Sequence, residues 1–120
     1  ISKEARTVYE IVKESQRAGL AVVRPQKTCK SVDEICRKII EKHHYGPHFI
    51  HSTGHGIGLD VHESPNITSK STTKLKKDMA VTVEPGIYIP NKFGVRIEDS
   101  VIVRDRPIIM HKFTKDLVVI

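Results

Sequence analysis

Three histidines and two glutamates carry most of the chemistry legible in this chain. His51, His55 and His62 lie in the stretch His51-Ser-Thr-Gly-His55-Gly-Ile-Gly-Leu-Asp-Val-His62-Glu63. Val83-Glu84-Pro85-Gly86 and Val95-Arg96-Ile97-Glu98-Asp99 each set a glutamate into an otherwise apolar run. A carboxylate within a buried strand is costly unless a cation or a set of hydrogen-bond donors compensates it. Histidines just upstream point to a metal ion as that cation. The competing reading is structural, because Arg96 stands two residues from Glu98 on the same strand face and forms a ready ion pair. That pair accounts for one carboxylate and for none of the histidines, so on chemistry alone both readings stand.

Other matches fail on spacing. His62-Glu63 does not open a zinc-peptidase His-Glu-x-x-His helix, since position 66 is Asn and Pro65 breaks the helix. Gly54-x-Gly56-x-Gly58 has the wrong spacing for a dinucleotide loop and no helix behind it. His43, His44 and His48 read as surface-loop residues, because Gly46-Pro47 keeps His44 and His48 off a common helical face.

The elements that position these residues follow from the periodicity. Apolar residues at Ala5, Val8, Ile11, Val12, Ala18 and Val22 predict a helix over 3–23, closed near Pro25. Ser31-Val-Asp-Glu34 reads as a capping box for a second helix with Val32, Ile35, Cys36, Ile39, Ile40 and His43 on one face, closed by Gly46-Pro47. Beyond His48 the period shortens. Phe49-Ile50, Met79–Val83, Gly86–Ile89, Val95–Val103 and Leu117–Ile120 read as strands, with a glycine-rich turn around His55. Alternation puts Glu84 on one face with Thr82, and Arg96 on one face with Glu98, opposite greasy faces. The expected fold class is α+β: a curved antiparallel sheet with two helices on one face and a polar cleft on the other.

Bulk properties narrow the setting. One domain fits 120 residues. The apolar runs fall well short of the about 20 residues of a membrane span, so no membrane partner is expected. Two cysteines with no metal spacing read as reduced thiols and, with no leader evident, suggest a cytoplasmic protein. The net charge of +6 is densest at Lys70, Lys74, Lys76 and Lys77. No aromatic residue interleaves them, so a solvated loop is expected and nucleic acid is not.

Taken together, Gly54-His55-Gly-Ile-Gly, His62-Glu-x-Pro65, Glu84-Pro-Gly-Ile-Tyr and Gly94-Val-Arg-Ile-Glu98-Asp resemble the creatinase/prolidase/methionine aminopeptidase superfamily, with its pita-bread fold. The last two motifs resemble its proline-directed branch, Xaa-Pro aminopeptidase and Xaa-Pro dipeptidase (prolidase). The terminal Lys112–Ile120 is similar to that family's last strand. The resemblance implies a metal-dependent exopeptidase that hydrolyses Xaa-Pro bonds with a water activated by two divalent ions. Mn2+ or Co2+ is favoured, with Zn2+ or Fe2+ as alternatives. The substrate would be a peptide with proline in second position, and the parent protein a homodimer. By the same resemblance His55, Glu84 and Glu98 are metal ligands, and Glu84 also shuttles a proton. His62 would hydrogen-bond the scissile carbonyl, His51 would hold the proline side, and Arg96 would orient a ligating carboxylate.

The family's ligand set adds two aspartates upstream of the first helix, where this chain has no residues. Asp105 and Asp116 have similar spacing but follow Glu98, and the match is read as coincidence. The expectation is therefore that residues 1–120 form the C-terminal portion of the catalytic domain and are inactive alone, the N-terminal half with the aspartates being absent. The alternatives are a methionine aminopeptidase-like peptidase and a non-catalytic pita-bread binding module.

Overall fold

The computed structural model describes residues 1–58 and 63–120. Helix α1 (Lys3–Val22) starts where Ser2 Oγ accepts the Ala5 amide at 3.0 Å, and stops where the Val23 amide turns back to Leu20 O. Its buried stripe is Val8, Ile11, Val12, Ser15, Gln16 and Gly19. Two polar side chains, Ser15 and Gln16, thus continue the i, i+3, i+4 stripe and are buried with it. At Gly19 an added Cβ would collide with Cys36 Sγ and lie 3.2 Å from Val83 Cγ1. Glycine there lets α1 approach helix α2 (Cys29–Lys42) and the sheet together.

The cap of α2 is Thr28, three residues before the expected Ser31. Thr28 is extended and accepts the Ser31 amide at 3.1 Å. Ser31 donates its hydroxyl to Thr28 O, while Glu34 pairs with Lys30 instead of closing a capping box. The helix also ends before Gly46-Pro47. His44, at φ 68°, donates to Glu41 O and Tyr45 donates to Ile40 O, which satisfies the last carbonyls in the way a C-terminal glycine usually does. Gly46–His48 then form a single 3-10 turn.

The strands among the described residues are β1 (Gly54–Gly56), β2 (Glu63–Ile67), β3 (Ala80–Val83), β4 (Gly86–Ile89), β5 (Phe93–Arg96), β6 (Asp99–Ile102) and β7 (Ile108–Ile109). One antiparallel sheet has the order β2-β1-β3-β6-β7, and β4 pairs β5 in a separate hairpin. Val95–Val103, expected as one strand, is therefore two. The break at Ile97-Glu98 lies opposite Glu84-Pro85, where proline has no N–H to continue a ladder. Val83 pairs Asp99 on one side and Gly86 pairs Arg96 on the other. The register is the same across the gap, so Glu84 faces Glu98 and Pro85 faces Ile97. The Ile97 amide still reaches Pro85 O at 3.4 Å.

Other strand expectations need correction. Phe49-Ile50 is not a strand, since Phe49 closes the 3-10 turn and is buried while Ile50 is exposed. Leu117–Ile120 makes no strand among the described residues, and Val118, Val119 and Ile120 are exposed. His55 sits in a strand and not in a turn. Gly54 admits that strand, because a Cβ there would strike Thr82 O across the sheet. The apolar core joins Val8, Val12, Val32, Ile40, Val81, Val83, Val101 and their neighbours from both helices and the sheet. Among the described residues no helix is long and apolar enough to cross a membrane. Lys70, Lys74, Lys76 and Lys77 are all exposed.

Candidate active site

The central sheet and the interrupted hairpin bring His55, Glu84, Arg96 and Glu98 together. Glu84 follows β3 and its amide donates to Thr53 O at 2.7 Å. Its Oε1 lies 3.1 Å from His55 Nε2 and accepts the Thr82 hydroxyl at 2.9 Å. The His55 amide donates to that same hydroxyl oxygen at 3.1 Å. Both side chains are mostly buried, His55 at 15% exposure and Glu84 at 13%. Arg96 spans the two carboxylates, its Nε 3.8 Å from Glu84 Oε2 and its Nη2 3.5 Å from Glu98 Oε2. The Arg96–Glu98 ion pair anticipated from spacing is present, and it extends to Glu84.

The imidazole of His55 is oriented by its other nitrogen. Nδ1 is 2.8 Å from Gly56 O, and a carbonyl only accepts, so Nδ1 carries a proton. In the neutral ring Nε2 then presents a lone pair toward a carboxylate oxygen. Two such acceptors at 3.1 Å require a cation between them, either a proton on the ring or a metal ion. One imidazole and two carboxylates, with the tautomer set from behind, are donors of the kind that hold a divalent metal ion. Among the described residues no three His, Cys, Asp or Glu side chains converge closely enough to enclose a metal. The residues present fit as part of a ligand set.

His51 belongs to a neighbouring aromatic cluster. Its Nδ1 donates to Ser52 O at 2.7 Å, which leaves Nε2 to accept the Tyr88 hydroxyl at 2.9 Å. Its ring stands edge-on to Phe49 and Tyr88, at 5.3 and 5.4 Å between centroids. An ion pair between the buried Asp33 and the partly exposed Arg37 holds this segment. Arg37 grips Asp33 through two bonds of 3.0 Å and donates to Phe49 O and His51 O, also at 3.0 Å. Asp33 further accepts the Thr53 hydroxyl at 2.8 Å, while the guanidinium lies over the Phe49 ring. His62, expected at the scissile carbonyl, lies outside the described residues.

Thr82, Tyr88, Asp33 and Arg37 were not anticipated as functional residues. A signal existed for Thr82, which shares a strand face with Glu84 two residues on. The others are joined by contacts that no local pattern encodes. Cavities of about 450 Å3 beside Ser64, Asn66 and Lys70, and about 410 Å3 beside Asp99 and Lys115, are not lined by His55, Glu84 or Glu98. The glutamate pair instead lies at an open margin of the fold, with Glu98 36% exposed and Arg96 52%.

Comparison with known proteins identifies the family and the fold. The sequence pattern of metallopeptidase family M24 matches residues 1–105. The Xaa-Pro dipeptidase of Pyrococcus furiosus is 47% identical over 104 residues, covering 87% of this chain and 30% of that protein. The solved structure of the Xaa-Pro dipeptidase from Bacillus anthracis superposes with a TM-score of 0.96 at 43% identity, over 99% of this chain and 34% of that one. Methionine aminopeptidase from Rickettsia prowazekii superposes at 0.76 with 22% identity, over 91% and 53%, a likeness of fold alone. The chain thus spans about a third of the length of its proline-directed relatives. Its helix pair and antiparallel sheet are part of the α+β pita-bread fold. On the match over residues 1–105, the chain belongs to metallopeptidase family M24.

Proposed function

We propose that this chain is the C-terminal portion of the catalytic domain of a proline-directed metallopeptidase, an Xaa-Pro aminopeptidase or dipeptidase. The observation that carries the reading is the 3.1 Å approach of His55 Nε2 to Glu84 Oε1, beside a register that sets Glu98 opposite Glu84. In this reading His55, Glu84 and Glu98 are the chain's ligands for two divalent ions, and two aspartates would come from the part of its relatives' length that this chain does not span. When bound, such ions make a water acidic and polarise the scissile carbonyl. Glu84 takes the water's proton and returns it to the leaving amine. Arg96 offsets the paired negative charge and aims both carboxylates the same way.

An Xaa-Pro bond is a tertiary amide whose ring has no N–H to grip, so recognition relies on apolar contact. His51, braced between Phe49 and Tyr88, offers such a wall. His62 donates to the oxyanion that develops on the carbonyl. Two buried, unbridged cysteines favour a cytoplasmic setting, and exposed apolar side chains near the C-terminus favour a homodimeric parent protein.

Calorimetric titration of Mn2+ into mass-verified chain tests the ligand set. One weak site, with no hydrolysis of an Xaa-Pro dipeptide, is the expected result, and Glu84→Gln abolishes the site. Two tight sites or full activity in the 120-residue chain would refute its being a partial catalytic domain. Absence of Mn2+ binding even at millimolar concentration would refute the ligand assignment. The full-length protein is expected to cleave Xaa-Pro peptides and spare Met-Ala, and the reverse preference would move it to the methionine aminopeptidase branch.

A further inference from the structure

One buried carboxylate has no part in the proposed reaction. Asp99 is 2% exposed at the first position of β6. Its Oδ2 accepts Gln16 Nε2 at 2.7 Å and pairs with the Lys115 ammonium, while His111 Nδ1 stands 3.5 Å from Oδ1. Lys115 also donates to Gln16 Oε1 at 3.0 Å, and Gln16 Nε2 reaches Val83 O at 3.4 Å. The segment bearing Lys115 is fastened to α1 twice more, by Tyr9 OH to Lys115 O at 2.8 Å and by Lys13 to Asp116 at 3.2 Å.

Helix α1 and the C-terminal segment therefore close on a single rung of the sheet. That rung is Val83 opposite Asp99, the last pair before the ladder opens at Glu84 and Glu98. At the start of β6 Asp99 is turned inward, while Glu98, the residue just before the strand, is 36% exposed. A buried carboxylate stripped of its cation is relieved by turning toward water. Glu98 adjoins Asp99 in the chain, so that turn re-aims it away from Glu84.

We infer that Gln16 and Lys115 are positioning residues, which clamp the Val83–Asp99 rung from behind and so set where Glu84 and Glu98 meet. The inference rests on the reading of those glutamates as metal ligands. Its test reads backbone exchange without metal and Mn2+ affinity separately, in Lys115→Met and Lys115→Arg. The amides of Glu84 and Ile97 report the rung, because each has a fixed acceptor, Thr53 O and Pro85 O.

In Lys115→Met their hydrogen exchange should rise about tenfold relative to α2 amides, and Mn2+ affinity should fall about tenfold, as when other supports of a ligand are lost. Lys115→Arg should restore both. Exchange at Glu84 and Ile97 that moves no more than in α2, or failure of Arg to restore it, would overturn the clamp. If the unsubstituted chain binds no Mn2+, the ligand reading falls while the exchange data still decide the clamp. Should Lys115→Met not fold, Gln16→Leu removes the other partner of Asp99 and leaves the chain's charge unchanged. Raised exchange at Glu84 and Ile97 in that variant supports the clamp, and unchanged exchange overturns it.

Discussion

Single buried polar groups in this chain act as fixed points, and their removal has calculable consequences. Asp33 is fully buried and satisfies both Arg37 and Thr53. Asp33→Ala takes the counter-charge from a partly exposed guanidinium and the acceptor from the Thr53 hydroxyl, and should destabilise the fold by about 1–3 kcal/mol. Arg37→Met in the same chain should recover part of that loss, and urea unfolding of the two single variants and the double variant measures it. Costs that simply add would mean the pair is uncoupled. The thiol of Cys36 behaves differently. Burial pushes its pKa up from 9.0 to about 12, against the bonds to Ser15 and Thr53 that lower it. The folded state thus keeps a proton that the unfolded chain releases near pH 9. The stabilisation is complete below that pH and is lost as pH rises toward 12, by about 1.4 kcal/mol per pH unit. Cys36→Ala should be the less stable protein at pH 7, yet should lose stability less steeply between pH 9 and 11. Parallel curves would show that the thiol does not titrate in this way.

At the scale of elements, close approach outweighs intrinsic preference. Alanine at position 19 would favour α1 by about 1 kcal/mol in an exposed helix. Here its Cβ meets Cys36 and Val83, and overpacking typically costs about 1–3 kcal/mol. Gly19→Ala should therefore lower the melting temperature, and pairing it with Cys36→Ala should return most of the loss. A rise in melting temperature for the single variant would show that α1 shifts freely. Such contacts mark the limit of what the sequence discloses. Apolar spacing locates both helices, and β4 is found at Gly86–Ile89 as read. The break between β5 and β6 is silent, because the alternation of Ile97, Val101 and Val103 runs through it unchanged. β1 and β2 are silent too, since Gly-His-Gly and Glu-Ser-Pro-Asn-Ile become strands only by pairing with each other and with β3. Of the site, His55, Glu84, Arg96 and Glu98 stand out because charge in an apolar strand needs an explanation. Gln16, Asp33 and Lys115 do not, because polar residues in helices and tails ordinarily face water.

For the molecule as a whole, the unbalanced feature is its apolar margin. β7 is a two-residue edge strand whose Ile108 and Ile109 are 47% and 42% exposed, followed by Met110 at 53% and Phe113 at 83%. Lysine side chains and a net charge of +6 oppose self-association, yet repulsion between exposed charges is screened beyond about 8 Å at physiological salt. Apolar contact is not weakened in this way, and an open edge offers unpaired backbone groups as well. Salt should therefore decide which effect wins. Sedimentation velocity should show a monomer at low ionic strength and concentration-dependent association in about 0.5 M salt, where the screening length falls toward about 4 Å. Ile109→Lys places a charge on the edge and should keep the chain monomeric under both conditions, without altering its melting temperature by more than a few degrees, because that side chain is already half in water. Association that weakens with salt would assign the contact to charge pairing and remove β7 from the argument.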